Sequence, residues 1–127
     1  MSLDKWQTQH SFWSSFGLPA YDEQTAFTDG NPVTFPYLTY QSMSGVMGQA
    51  MTVTANLWYR SPSWAEISQK ADDILRAIAR GAVIALDNGY FWIKIPESTP
   101  FAQRVASGND DIRRIMLTVE VECLTAN

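Results

Sequence analysis

RIMLTVEVECL, residues 114–124, alternates along its whole length. Ile115, Leu117, Val119, Val121 and Cys123 fall on one side, and Thr118, Glu120 and Glu122 on the other. Strict period-two alternation over this many residues is the mark of a strand with one face in a core and one facing out. A second stretch, Met51 to Arg60, repeats the pattern. Met51, Val53, Ala55, Leu57 and Tyr59 form its apolar face, and Thr52, Thr54, Asn56, Trp58 and Arg60 the other. Trp58 stands out as a large ring on the polar side. Two long half-buried strands predict an antiparallel sheet.

Between them lies a helix signal. Trp64, Ile67, Ala71, Ile74, Leu75 and Ile78 recur at three- and four-residue spacing, and Gly81 closes the run. Such a stripe predicts an amphipathic helix laid on the sheet. Its start has two registers, Ser61 as N-cap before Pro62, or a capping box from Ser63 to Glu66. Glu66–Lys70 and Asp72–Arg76 are spaced for ion pairs on its outer side. After it, Ala82–Leu86 and Tyr90–Ile95 flank Asn88-Gly89, a strong hairpin signal.

Upstream, Asp4 to about Phe16 reads as a shorter helix ended by Gly17 and Pro19. Leu3, Trp6, His10, Trp13 and Phe16 form its stripe, widened by Phe12. Residues 20–34 carry Asp29-Gly30 and Asn31-Pro32 and read as loop. FPYLTYQ, 35–41, reads as a strand because proline biases the residue before it to extended dihedrals. SMSGVMG, 42–48, reads as a hairpin loop, and Pro96 to Asp111 as a long loop. The expected order is α-β-β-α-β-β-β. That is an α+β domain, a mainly antiparallel sheet with a long helix packed on one face and an N-terminal helix, in a single domain over 1–127.

Composition narrows the function. The chain has 127 residues and a net charge of −4, a balance opposed to a dedicated nucleic-acid binder. It holds one cysteine, so no internal disulfide is possible. No run is apolar enough for a membrane span, and the first ten residues are too polar for a signal peptide. Catalytic chemistry is thin. His10, the single histidine, sits on a helix stripe, and Cys123 faces the core. The acid pairs Asp22-Glu23, Asp72-Asp73 and Asp110-Asp111 read as solvated surface pairs. No zinc, calcium or phosphate-loop spacing occurs, so no catalytic residue, metal or cofactor is expected. Five tryptophans exceed what a small core must absorb, and surplus rings suggest a protein–protein surface. Trp58, Phe101 and Arg104 are the candidate interface residues, with Phe101 as an apolar anchor on the 96–111 loop.

SFGLPAYDEQTAFTDGNPVTFPYLTYQ, followed by LWYRSPSWAEISQKADDI, PFAQRV and RRIMLTVEVE, resembles the small tail-completion and tail terminator proteins of long-tailed bacteriophages and prophages. The likeness spans nearly the whole chain. It implies a structural subunit of the virion tail, assembled in the host cytoplasm into a ring at the head-proximal end of the tail tube. There the ring stops tube polymerisation and joins the head. The implied partners are further copies of itself, hexameric by the resemblance, with the tail tube protein and the head connector protein. No specific nucleic-acid binding and no membrane are implied. A head-completion or connector adaptor, or another minor tail protein, is the neighbouring alternative. A small cytosolic enzyme or a soluble binding module is the alternative of another class.

Overall fold

A computed structural model describes residues 5–23, 34–42, 49–86 and 89–125. Two helices and seven strands follow in the order α1 (Lys5–Ser14), β1 (Ala20–Asp22), β2 (Tyr37–Tyr40), β3 (Gln49–Arg60), α2 (Ala65–Ala79), β4 (Ala82–Leu86), β5 (Gly89–Lys94), β6 (Ala102–Val105) and β7 (Ile112–Thr125). The fold is α+β, as the alternation and the helical stripe predict.

β3 and β7 form the spine of the sheet. They pair antiparallel from Gln49 opposite Cys123 to Arg60 opposite Ile112. The sheet runs β1-β2-β3-β7-β5-β4, and β6 joins the flank of β7 that β5 also uses. All pairings are antiparallel except β1 with β2, which is parallel. The core face of the spine is built from the alternating residues, with Val53, Ala55, Leu57 and Tyr59 against Ile115, Leu117, Val119, Val121 and Cys123, all buried. α2 covers this face with Ile67, Ala71, Ile74 and Ile78. Burying a large aliphatic side chain is worth about 1.5–3 kcal/mol, so this stripe holds the helix in place.

α1 lies on the same side and reaches both β1 and β4, so the sheet curls around it. Trp13 is buried and stacks on Tyr40 at 6.4 Å, and Phe12 and Phe16 pack beside it. Gly17 takes a φ of 86°, a left-handed turn that glycine makes without steric cost. There Lys70 Nζ of α2 donates to the Phe16 carbonyl at 2.9 Å, tying the two helices together.

Several local expectations need correction. Residues 20–34 are not all loop, because Ala20–Asp22 adds to β2 as β1. The 96–111 stretch is not one loop, since Ala102–Val105 pairs with β7. On α1, Trp6 and His10 point to solvent while Gln9 is buried, so the stripe is rotated from the expected one. α2 starts at Ala65, with Trp64 at the N-cap position and no side-chain cap bond. Instead Ser63 Oγ accepts from Ala65 N–H at 3.0 Å, and Ser61 Oγ from Ser63 N–H at 3.1 Å. Neither expected capping register is formed. The ion pair on the helix is Asp73–Arg76 at 3.5 Å, not Asp72–Arg76, and Lys70 is turned to Phe16. Leu3, the 29–32 turns, most of the 42–48 loop and the Asp87-Asn88 turn lie outside the described residues.

Candidate subunit interface

The groups that could carry chemistry are placed structurally. His10 Nδ1 lies 3.1 Å from the Tyr40 hydroxyl and Nε2 lies 3.3 Å from Ser14 Oγ. Both contacts pin the exposed ring to its own helix and to β2. Cys123 is buried on the core face. Among the described residues no group of three or more His, Cys, Asp or Glu gathers to hold a metal ion. Nor is any helix there long and apolar enough to cross a membrane. Burial raises the hydroxyls of Tyr37, Tyr40 and Tyr59 above their ordinary 10.0. Neighbouring Tyr21, Asp22, and Glu66 with Asp73 add to the three shifts respectively.

The chemically distinctive region is one end of the sheet, where β3 finishes and β7 begins. Four arginines lie at that end, Arg104 and Arg113 in the phase of the core face and Arg60 and Arg114 in the opposite phase, and each lies over an aromatic ring. Arg60 sits 4.9 Å over Phe35, and Arg114 sits 5.0 Å over Trp58. Arg104 and Arg113 lie 4.8 and 5.3 Å from the ring of Trp64. The ion pairs among the described residues, Asp73–Arg76 and Lys94–Glu122, involve none of the four. Hydrogen bonds orient two of them further. Arg113 Nη2 donates to the Pro62 carbonyl at 2.8 Å, and Arg114 Nε to Asn56 Oδ1 at 2.8 Å. Each exposed cation–π contact of this kind is worth about 0.5–1 kcal/mol, and guanidinium donors not already used can still meet a carboxylate.

Trp58 is explained by this arrangement. It is half-buried on the side of the sheet away from the helices, stacked on Tyr37 at 6.0 Å and 11°. Its Nε1–H donates to Thr39 Oγ1 at 3.1 Å. Tyr37 in turn meets Tyr21 and Phe35 edge-on. Arg104 is exposed on β6, beside Trp64. Phe101 is different, and the reading of it as a surface anchor is corrected. It is 8% exposed and belongs to the core cluster, and its carbonyl accepts from Thr118 N–H at 2.7 Å. Its ring is already spent inside the subunit. The structure thus brings Arg104 and Trp58 to the same end of the sheet but not to one contact.

A second exposed feature was not singled out from the sequence. Val83 is 61% exposed, and Tyr90 and Trp92 41% each. They belong to one hairpin, where Val83 faces Trp92 and Ala85 faces Tyr90. Their shared alternation phase was readable, since 83 and 85 on one strand oppose 92 and 90 on the next. What could not be read was which face the helices would leave bare.

Fold and surface together define a two-layer α+β fold that exposes aromatic rings and arginines. The chain matches no protein-family model, and no curated protein matches it. Its fold is similar to that of a solved chain described as "Virion of native gene transfer agent (GTA) particle". The TM-score is 0.61 at 16% identity, over 92% of this chain and 89% of that chain.

Proposed function

We propose that this chain is a structural, non-catalytic subunit of a phage or phage-like virion, in the tail terminator or tail-completion position. In this reading it closes into a ring, with six copies as the working number. The ring sits on the head-proximal end of the tail tube, stops its growth and receives the head connector. The observation that carries the reading is the fold likeness, over nearly the whole of both chains, to a chain from a gene transfer agent virion. It is supported by the ordered phrases from SFGLPAYDEQ to RRIMLTVEVE. The exposed apolar hairpin and the ring-stacked arginines are surfaces of the kind that assembly covers. The net charge of −4 suits passage of DNA without retention.

Electron microscopy of particles made without this protein tests the reading. Overlong tail tubes that fail to join heads are the expected result, and normal tails with normal heads would overturn it. The head-completion alternative is separated by labelling the protein in lysates that make only one half of the particle. A terminator marks the ends of free tails in a headless lysate. A head-completion adaptor marks the portals of filled heads in a tailless one.

A further inference from the structure

The basic side chains are spent unevenly. Arg76 pairs with Asp73, Lys94 with Glu122, and Lys70 donates to the Phe16 carbonyl. Arg104 and Arg113 meet no carboxylate among the described residues. Arg104 stands opposite Ile115 in the β6–β7 ladder, and Arg113 lies two residues along β7. Both side chains therefore leave the same side of the sheet as diagonal neighbours, about 7–8 Å apart. The chain enters α2 beside them. The half-buried ring of Trp64, just before Ala65, takes Arg104 at 4.8 Å and Arg113 at 5.3 Å.

Two like charges thus converge on one ring, and charges this near repel each other. Glu66 opens α2 and Asp110 sits on the neighbouring turn, yet neither forms an ion pair with them. Arg113 is fixed in place, since its Nη2 donates to the Pro62 carbonyl at 2.8 Å. Arg104 is exposed and leans on the ring. Beside the pair a hollow of about 380 Å³ opens, lined by Trp64, Arg113, Val105, Ser107 and Asp110 among others. Its far wall is held by its own bonds. Asp111 N–H donates to Asn109 Oδ1 at 2.8 Å, and Ser107 Oγ–H to the Ile112 carbonyl at 2.7 Å. A wall already ordered has little freedom left to lose on binding.

We propose that Arg104, Trp64 and Arg113, with the hollow beside them, dock a short acidic segment of a partner protein whose carboxylates meet the two guanidinia. Charge selects the occupant. The guanidinium fork matches carboxylates and phosphates alike, but a nucleic-acid backbone repeats its phosphates and calls for a basic stripe. Here the positive charge stops at two side chains. Arg60 and Arg114 stand in the opposite phase of the sheet, Asp110 lines the hollow, and the whole chain carries −4. A long polyanion would be repelled beyond the pair, whereas one or two carboxylates would offset it. Tryptophan and arginine are also the side chains that most often carry the energy of protein contacts. The site rests on these charges and this ring, not on the tail reading.

The test is a nuclear magnetic resonance titration of the ¹⁵N-labelled chain with a blocked hexaglutamate peptide. The Trp64 indole N–H should shift saturably, with a Kd of about 1 mM at low salt, and binding should weaken as salt is raised. Arg104→Ala removes an exposed side chain and spares the fold, and it should weaken binding about fivefold. Arg104→Lys keeps the charge without the fork and should fall between the two. Arg60→Ala, in the opposite phase of the sheet, should leave binding unchanged. No shift at Trp64 by about 10 mM peptide, or a shift that Arg104→Ala leaves intact, would overturn the site. Hexathymidylate binding at Trp64 as tightly as hexaglutamate would overturn the protein partner in favour of a nucleic acid. Self-association lost in Arg104→Ala, with no response to the peptide, would overturn it in favour of a second copy. Each of these results leaves the tail reading to its own test on particles.

Discussion

The two flanks of β7 are built differently. Along one, β3 pairs without a break from one end to the other. Along the other, β5 covers residues 120–125 and β6 covers 114–117, and the chain leaves the sheet between them over 95–101. The unbroken flank buries its alternate side chains from Val53 to Tyr59 and from Ile115 to Cys123. The broken flank carries the bare hairpin face at one end and the exposed strand of Arg104 at the other. Continuity makes a spine, and interruption leaves a short exposed strand at the edge. The division is between what holds the fold and what stays open to solvent.

The sharpest way to break this comparison is to remove a large side chain from the spine. Leu57 is fully buried, opposite Ile115 and Leu38. Leu57→Ala should cost about 4 kcal/mol through lost transfer energy and the cavity left behind. Urea unfolding measures it through a lower midpoint at an unchanged slope. A loss under about 1 kcal/mol would mean that the spine is not the centre of stability.

Phe101→Ala comes next, at about 3 kcal/mol, because the ring packs in the core where β6 begins. The same unfolding experiment reads it. An unchanged midpoint would return Phe101 to the surface and the 96–111 stretch to a plain loop. This residue also shows what was legible. PFAQRV holds a strand of four residues, Ala102–Val105, too short and too polar for alternation to announce it. β1, with three residues, is hidden in the same way, since both are strands only because a longer neighbour offers a ladder. The spine strands and α2 were readable because their patterns persist long enough to exclude other periods. α1 was misread in phase, because Gln9 is buried and Trp6 is not. That choice is made by the curl of the sheet and not by any property of the helix alone. At the candidate interface Arg104 and Trp58 drew notice as residues, but their stacking on Trp64 and Tyr37 needed the tertiary fold.

Alkaline pH acts on the unbroken flank in particular. Tyr37 and Tyr40 of β2 and Tyr59 of β3 have hydroxyls raised above 10.0 by burial. In the unfolded chain these groups lose their protons at the ordinary value, while the folded chain keeps them. Above that pH the folded state binds more protons than the unfolded state, so stability falls as pH rises through the raised values. The contribution is fully present below pH 10.0. Thermal melts across the alkaline range, read beside tyrosinate absorbance, should show melting temperature falling as these rings ionise. A melting temperature indifferent to their ionisation would mean the hydroxyls are open to water.

The smallest expected effect lies on the continuous part of the other flank. Lys94 Nζ is 3.6 Å from Glu122 and 4.4 Å from the centre of the Trp92 ring. Both side chains of the ion pair keep about a quarter or more of their surface, 30% and 25%, so water and salt screen it and its worth is at most about 1 kcal/mol. The cation over an exposed ring adds about 0.5–1 kcal/mol. Lys94→Met keeps most of the apolar stem and removes the charge, which isolates these electrostatic contributions from packing. The variant should unfold within about 2 kcal/mol of the parent at low salt, and the difference should shrink as salt is raised. A loss of about 3 kcal/mol or more, insensitive to salt, would require a charge pair shut off from water. The β5 flank would then be as closed as the spine, and the contrast between the two sides of β7 would fail where it is most easily measured.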